Sequence, residues 1–189
     1  MNKTITTPAG IARYPRLNSP DTKFSEEGQY KVDLEMSQED AKPFIEQIEA
    51  MFADFVADKK RELKKDKLKI HAAPWTENDG MVQLKLKVKA TGKSKDGETY
   101  TRQPKLFDAS GRIVNENIGG GSKLKIAVVP YMWYTASLGA GITLQPKAVQ
   151  ILDLVTWSSG GTAEAYGFEV TEAPRATAKT GTDNEEIEW

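Results

Sequence analysis

Apolar and polar positions change period twice within the first 90 residues of the chain. In "FSEEGQYKVDLEM" a turn at Gly28 precedes Tyr30, Val32, Leu34 and Met36 at every second position, which predicts a strand with one buried face. Beyond it the period lengthens, and Phe44, Ile45, Ile48, Met51, Phe52, Phe55 and Val56 recur at three- and four-residue steps. Such spacing lays one wide apolar stripe along a helix that packs on a sheet. Asp40 is the expected N-cap, which puts Pro43 at the third helical position, where a missing N–H costs nothing. "MVQLKLKVKA" then returns to period two, with Leu84, Leu86 and Val88 on one side and Lys85, Lys87 and Lys89 on the other.

Turn chemistry separates the remaining apolar runs. Asp96-Gly97 in "GKSKDGETY" is a hairpin signal, and Gly111 marks a turn within "KLFDASGRIVNEN". "SKLKIAVV" predicts another strand, and "GITLQPKAVQILDLVTW" one or two more, with Pro146 at a break or an edge. From Ser158 the sequence turns to Gly, Thr and Ala, and after Pro174 nothing recurs with a helical or strand period. The expectation is a mainly β domain over residues 1–170 with one prominent helix, followed by a disordered tail over residues 171–189. Several short strands between turns fit a small barrel or a sandwich equally well.

Composition narrows the chemistry. Of 189 residues 39% are hydrophobic and 28% charged, which allows a packed core. Without Cys there are no disulfides or thiolate metal sites, and a reducing cytoplasm is expected. His71 is the only His, and its setting beside "AAPW" fits a solvated or hydrogen-bonding role better than a zinc site or a catalytic triad. No apolar run reaches the roughly 18 residues that span a bilayer, and no apolar leader is expected at the N-terminus.

The net charge of −1 averages two unlike regions. Residues 171–189 hold Glu172, Asp183, Glu185, Glu186 and Glu188 against Arg175 and Lys179, which leaves 24 basic and 22 acidic side chains elsewhere. Between Lys85 and Lys125 there are ten basic and four acidic residues. A basic body with an acidic tail suggests a polyanion partner and a tail that competes with it. Seven more cations fall between Lys59 and Lys69; a solvated helix end is the first reading there, and polyanion contact the second.

The most informative stretch is "IGGGSKLKIAVVPYMWYTASLGAGITL". Gly119–Gly121 lack P-loop spacing and precede a strand rather than a helix, so they are expected to form a turn that admits a close backbone or ligand. Lys123 and Lys125 share the face opposite Leu124, Ile126 and Val128. If the alternation survives Pro130, Tyr131 and Trp133 join those lysines, with Lys85, Lys87 and Lys89 on a neighbouring strand. Lysines that neutralise phosphates beside rings that stack on unpaired bases are what single-stranded nucleic acid requires. Solvated lysines and rim packing by the rings remain the plainer alternative.

These residues, with "KFSEEGQYKVDL" and "AVQILDL", resemble the single-stranded-DNA-binding replication proteins of tailed phages. The resemblance is strong over residues 118–155, patchy over residues 1–117 and compositional in the tail. It implies a single oligonucleotide/oligosaccharide-binding (OB) barrel with an inserted helix, no cofactor, and residence in the cytoplasm of the infected bacterium. It places cleft lysines at Lys85, Lys87, Lys123 and Lys125, a stacking ring at Tyr131 and, more loosely, an N-terminal contact at Lys3. Trp133 joins them by strand parity. Where the family can carry an Arg before the first-strand Gly, this chain has Glu27, with Lys23 as the available substitute.

The resemblance also implies that Asp183, Glu185, Glu186, Glu188 and Trp189 occupy the basic cleft when DNA is absent and recruit DNA polymerase or helicase–primase when it binds. A terminal indole suits both tasks, as a base mimic and as an anchor. A homodimer is left open, and no membrane partner is expected. Two other readings stay in view: a strand-annealing recombination protein, and a magnesium nuclease built on Asp108 with Glu98 or Glu116. The second is disfavoured because Asp108 sits in the turn sequence "FDASG".

Overall fold

A computed structural model describes residues 3–23 and 26–156. The strands are β1 (Ile5–Thr6), β2 (Gly10–Asp21), β3 (Gln29–Ser37), β4 (Trp75–Asn78), β5 (Met81–Lys89), β6 (Thr91–Lys93), β7 (Thr99–Thr101), β8 (Lys105–Phe107), β9 (Lys123–Thr135) and β10 (Gly139–Asp153). The helix α1 (Gln38–Leu63) follows β3 directly. The described residues are thus mainly β with one helix.

Strand pairing accounts for the core. β9 pairs with β2, β2 with β3, β3 with β5, β5 with β10, and β10 with β9 again, so the pairings return to their start. All are antiparallel except β5 with β10, which is parallel and meets only at Leu86 and Leu144. Tyr30, Val32, Leu34 and Met36 on β3, Val82, Leu84, Leu86 and Val88 on β5, and Leu124, Ile126 and Val128 on β9 are all buried. Period two was therefore a sound guide to which face turns inward. β10 is one continuous strand, and Pro146 sits where its register against β9 shifts.

Two expectations for the helix fail. Its N-cap is Ser37, whose Oγ accepts the Asp40 amide at 3.1 Å and donates to the Asp40 carboxylate at 2.7 Å. Ser37 both ends β3 and caps α1, a junction too tight for a separate capping residue. Pro43 consequently lies at the sixth helical position, inside the helix. The apolar stripe is also used unevenly. Ala41, Phe44, Ile45 and Ile48 are buried, whereas Met51, Phe55 and Val56 are half-buried and Phe55 stacks on Phe52 with 6.2 Å between ring centres. Lys64 ends the helix in the left-handed region at φ 52°, and the Lys65 amide bonds to the Lys60 carbonyl.

Two glycine turns tie distant segments together. Gly121, at φ 94°, donates to the Ala12 carbonyl, the Gly119 amide donates to the Val155 carbonyl, and the buried Ser122 accepts the Val155 amide on Oγ. The close partner expected for this turn is therefore backbone. At the other end of the sheet, residues 69–71 lie against the start of β10. The Ala140 amide donates to the Lys69 carbonyl at 2.9 Å, and the His71 amide to the Ala140 carbonyl at 2.7 Å.

Gly139 makes that second junction, since its φ is +87° and a Cβ there would overlap the Lys69 carbonyl. Gly139→Ala should cost about 2–4 kcal/mol from a strained left-handed residue and two broken hydrogen bonds. Urea unfolding of the two proteins measures this; equal midpoints would show that residues 69–71 are held by something else.

Candidate nucleic-acid interface

The side chains that face outward from β9 and β10 form one wall of a cleft of about 1170 Å³. Alternation does survive Pro130: Pro130 is buried opposite Leu144, and Tyr131 and Trp133 point to the lysine side. Val129, Tyr131 and Trp133 line the cleft from β9, and Thr143, Gln145 and Lys147 from β10. Lys87 and Lys89 come from β5, and Gln29 from β3. Tyr100, Arg102, Lys105 and Phe107, from β7, β8 and the chain between them, line it as well.

The two rings of β9 are held differently. Tyr131 stands 46% exposed beside Thr143, with its face open. Trp133 is half-buried across Gly141, where a Cβ would run into its ring. Its Nε1 donates to Thr143 Oγ1 at 3.2 Å, and the His71 ring sits 5.2 Å away at 56°. Across the cleft, Arg102 lies over the Tyr100 ring at 5.5 Å and donates to the Tyr100 hydroxyl at 3.2 Å. Both side chains cover Gly92, which leaves no room for a Cβ.

Of the residues expected from the sequence, the structure brings Lys87, Tyr131 and Trp133 together. Lys85, Lys123 and Lys125 are exposed on the same faces of β5 and β9 but do not line the cleft. Lys85 lies opposite Asp33 on β3. Burial pushes the Asp33 carboxyl up, while Lys85 and Lys31 pull it down, so the charge of Lys85 is partly matched from its own sheet. Lys125 lies opposite Gln150 and Lys123 opposite Asp153. Lys3 is exposed next to Thr4, which does line the cleft. Asp183, Glu185, Glu186, Glu188 and Trp189 lie outside the described residues.

Tyr100, Arg102, Lys105, Phe107 and Lys147 were not anticipated, and Lys89 was grouped with Lys85 and Lys87 without being chosen as a site. The available signal was the concentration of ten cations between Lys85 and Lys125, which encloses Arg102 and Lys105. None of Lys87, Lys89, Arg102, Lys105 or Lys147 has an ion pair among the described residues. Five cations without counter-charges around open rings give the cleft a strong attraction for a flexible polyanion.

The comparisons agree with that chemistry. A family model described as "Single-stranded DNA-binding protein, Bacteriophage T7" matches residues 9–154. The chain belongs to this family. Among relatives, the single-stranded DNA-binding protein of Enterobacteria phage T3 is 29% identical over 99% of this chain and 91% of its own length. Among solved structures, gp2.5, the single-stranded DNA-binding protein encoded by bacteriophage T7, superposes with a TM-score of 0.72. It is 27% identical, over 93% of this chain and 100% of that one. The single-stranded DNA-binding protein of bacteriophage Enc34, in complex with ssDNA, shares the fold at a TM-score of 0.54 and 14% identity. That match spans 82% of this chain and 89% of that one.

Asp108, next to the cleft, was the carboxylate considered for metal chemistry. It instead organises its turn: Oδ1 accepts from the Ser110 hydroxyl at 2.6 Å and from the amides of Ser110 and Arg112, and Oδ2 accepts from Arg112 Nε. These bonds, the Ser110 hydroxyl first, hold the carboxyl down at about 2. Because it ionises below the unfolded value near 3.9, its contribution to stability is complete above about pH 4 and is lost as pH falls toward 2. Asp108→Asn should therefore be less stable than the parent at pH 7, with the difference closing toward pH 2. Unfolding midpoints across that range test it, and a difference independent of pH would assign the effect to something other than the charge.

Proposed function

We propose that this chain coats single-stranded DNA with little sequence preference during phage DNA replication, recombination and repair. The observation that carries the reading is the cleft itself, which Tyr131 and Trp133 line together with Lys87, Lys89, Arg102, Lys105 and Lys147. Rings accept any base on their faces, and cations accept any phosphate, so sequence enters weakly. The returning order of pairings among β9, β2, β3, β5 and β10, with one parallel contact between β5 and β10, suits a five-stranded OB barrel with α1 inserted between its second and third strands. On this reading residues 1–170 are the binding domain and residues 171–189 an acidic tail, and the protein works in the cytoplasm of the infected bacterium without catalysing a reaction. The hydrogen bonds that occupy Asp108 support the non-enzymatic role, because they engage both oxygens a magnesium ion would need.

The tail supplies regulation in this scheme. Its carboxylates compete with DNA for the cleft, and once displaced they and Trp189 are free to engage replication proteins. Tethering keeps them near millimolar concentration at the cleft, so even a weak contact is well populated. Deleting residues 181–189 should tighten apparent DNA binding most at low salt, where the attraction is least screened. Equal affinities with and without these residues at about 20 mM salt would leave the tail no competitive role.

Substituting Lys87, Lys89, Lys105 or Lys147 by Ala should weaken binding alike across base sequences, and each lost phosphate contact should lower the salt slope by about 0.7. Lys123 and Lys125 variants should change the slope less, since these residues lie outside the cleft. Tyr131→Ala should cost about 1–3 kcal/mol and Tyr131→Phe little, because the ring carries the contact. Anisotropy titrations of labelled oligonucleotides at several salt concentrations measure both effects. Parental slopes in all four cleft variants, with Tyr131→Ala neutral, would move the binding site elsewhere.

A further inference from the structure

Tyr14 is 79% exposed and holds φ 49°, a left-handed conformation that a bulky residue adopts only at a cost. It lies in a bulge of β2. Arg13 pairs with Asp33 and Arg16 with Lys31, so three residues on β2 span what two span on β3. Bulges and left-handed non-glycine residues gather where a side chain has to be aimed. Nothing buried rewards this one, since the ring stands in solvent. An Asn or Gly at this position would form the same bulge without the strain.

The bulge lies in register with the cleft. Arg16 pairs with Lys31 on β3, and Lys31 with the cleft residue Lys87 on β5. From β5 to β2 is two strand spacings, about 10 Å. On that row Lys31 is ion-paired with Asp21, and across the bulge Arg13 is ion-paired with Glu35 at 2.8 Å, whereas Arg16 is exposed and without an ion pair among the described residues. The row therefore offers a strand leaving the cleft a cation without an ion pair of its own, though within electrostatic reach of Asp21, two residues along β2 from an exposed ring. A ring beside a cation matches the cleft's own chemistry.

We infer that Tyr14 is a second base-stacking platform, which takes an unpaired base from single-stranded DNA that leaves the cleft over β3 and gives its phosphate to Arg16. The inference rests on the proposed binding function and extends its path beyond the cleft. The strain at Tyr14 is then the cost of presenting a ring where glycine would be easier.

The test compares Tyr14→Ala, Tyr14→Gly and Tyr14→Phe with Tyr131→Ala on a labelled oligothymidylate long enough to overrun the cleft. Tyr14→Ala and Tyr14→Gly should weaken binding about 5- to 100-fold, and Tyr14→Phe less than about twofold. Tyr14→Gly should also unfold at the same temperature as the parent or higher, which separates lost contact from lost fold. Parental affinity in both Tyr14→Ala and Tyr14→Gly, while Tyr131→Ala weakens binding, would overturn the inference and leave the cleft intact. An equal loss in Tyr14→Phe would overturn it too, by assigning the contact to the hydroxyl. If Tyr131→Ala binds like the parent as well, the reading of the cleft fails first.

Discussion

Thirteen cross-strand pairs join β9 to β10, and each outward side chain of the cleft wall has an inward neighbour that holds its strand in place. Leu124, Ile126 and Val128 are fully buried, each contributing about 1.5–3 kcal/mol by leaving water. A slip of one residue would expose all three and turn Lys123, Lys125, Tyr131 and Trp133 inward. Against a spread of strand propensities of about 1 kcal/mol, that difference fixes the register. Two prolines test the arrangement, and both sit where a donor is not missed. β1 and β2 pair with β9 no further than Val128, so Pro130 lies on a stretch with one open edge. Pro146 lies at the shift in register of β10. The binding face is a consequence of core packing continued past a proline.

Glycine shapes the cleft as much as the aromatic residues do. Gly141 lets Trp133 lie against backbone, Gly92 does the same for Tyr100 and Arg102, and Gly139 admits the segment that carries His71 to Trp133. A ring laid on backbone and hydrogen-bonded at Nε1 has few other rotamers available. Ordering it on binding then costs less than ordering a free side chain, for which roughly 0.5–1.5 kcal/mol is usual. Tyr131 lacks such a seat and keeps its face open. The wall thus combines a fixed ring with an accessible one on alternate residues of a single strand.

Strand faces were legible in the sequence because period two reports them directly, and α1 was legible because its stripe is wide. Position along a face was not. Lys123, Lys125, Tyr131 and Trp133 share one face of a strand of 13 residues, yet only the last two reach the cleft. The same holds on β5, where Lys87 and Lys89 line the cleft and Lys85 is matched by Asp33 instead. What cuts the face short is the segment running from β6 to β8, whose placement depends on contacts distant in sequence. One is Gln103 Nε2 donating to the Asn18 carbonyl. No local pattern announces where such a segment crosses a sheet, so Tyr100, Arg102 and Lys105 stayed hidden. Ser37 was missed as the cap because it also completes the alternation of β3, and the strand signal masked the helix signal.

Tolerance of base sequence, on the proposed reading, follows from which polar groups are already occupied. Direct readout needs donors and acceptors fixed against base edges, in pairs that distinguish one base from another. In and near the cleft several such groups are engaged within the protein: Trp133 Nε1 with Thr143, the Tyr100 hydroxyl with Arg102, Gln103 with the Asn18 carbonyl and, just outside it, Gln150 with the Ala109 carbonyl. What faces the ligand combines ammonium groups and ring faces with a few amides and hydroxyls, Gln29 and Gln145 among them. Lysine is a point charge on a flexible stem, so it follows a phosphate without fixing its register. Stacking energy differs among bases by less than a well-placed bidentate pair discriminates, about 1–3 kcal/mol. A cleft of this kind gains affinity by adding contacts along the strand rather than by sharpening any one of them. A further ring at Tyr14, as inferred above, follows the same rule, because it lengthens the path without adding a reader.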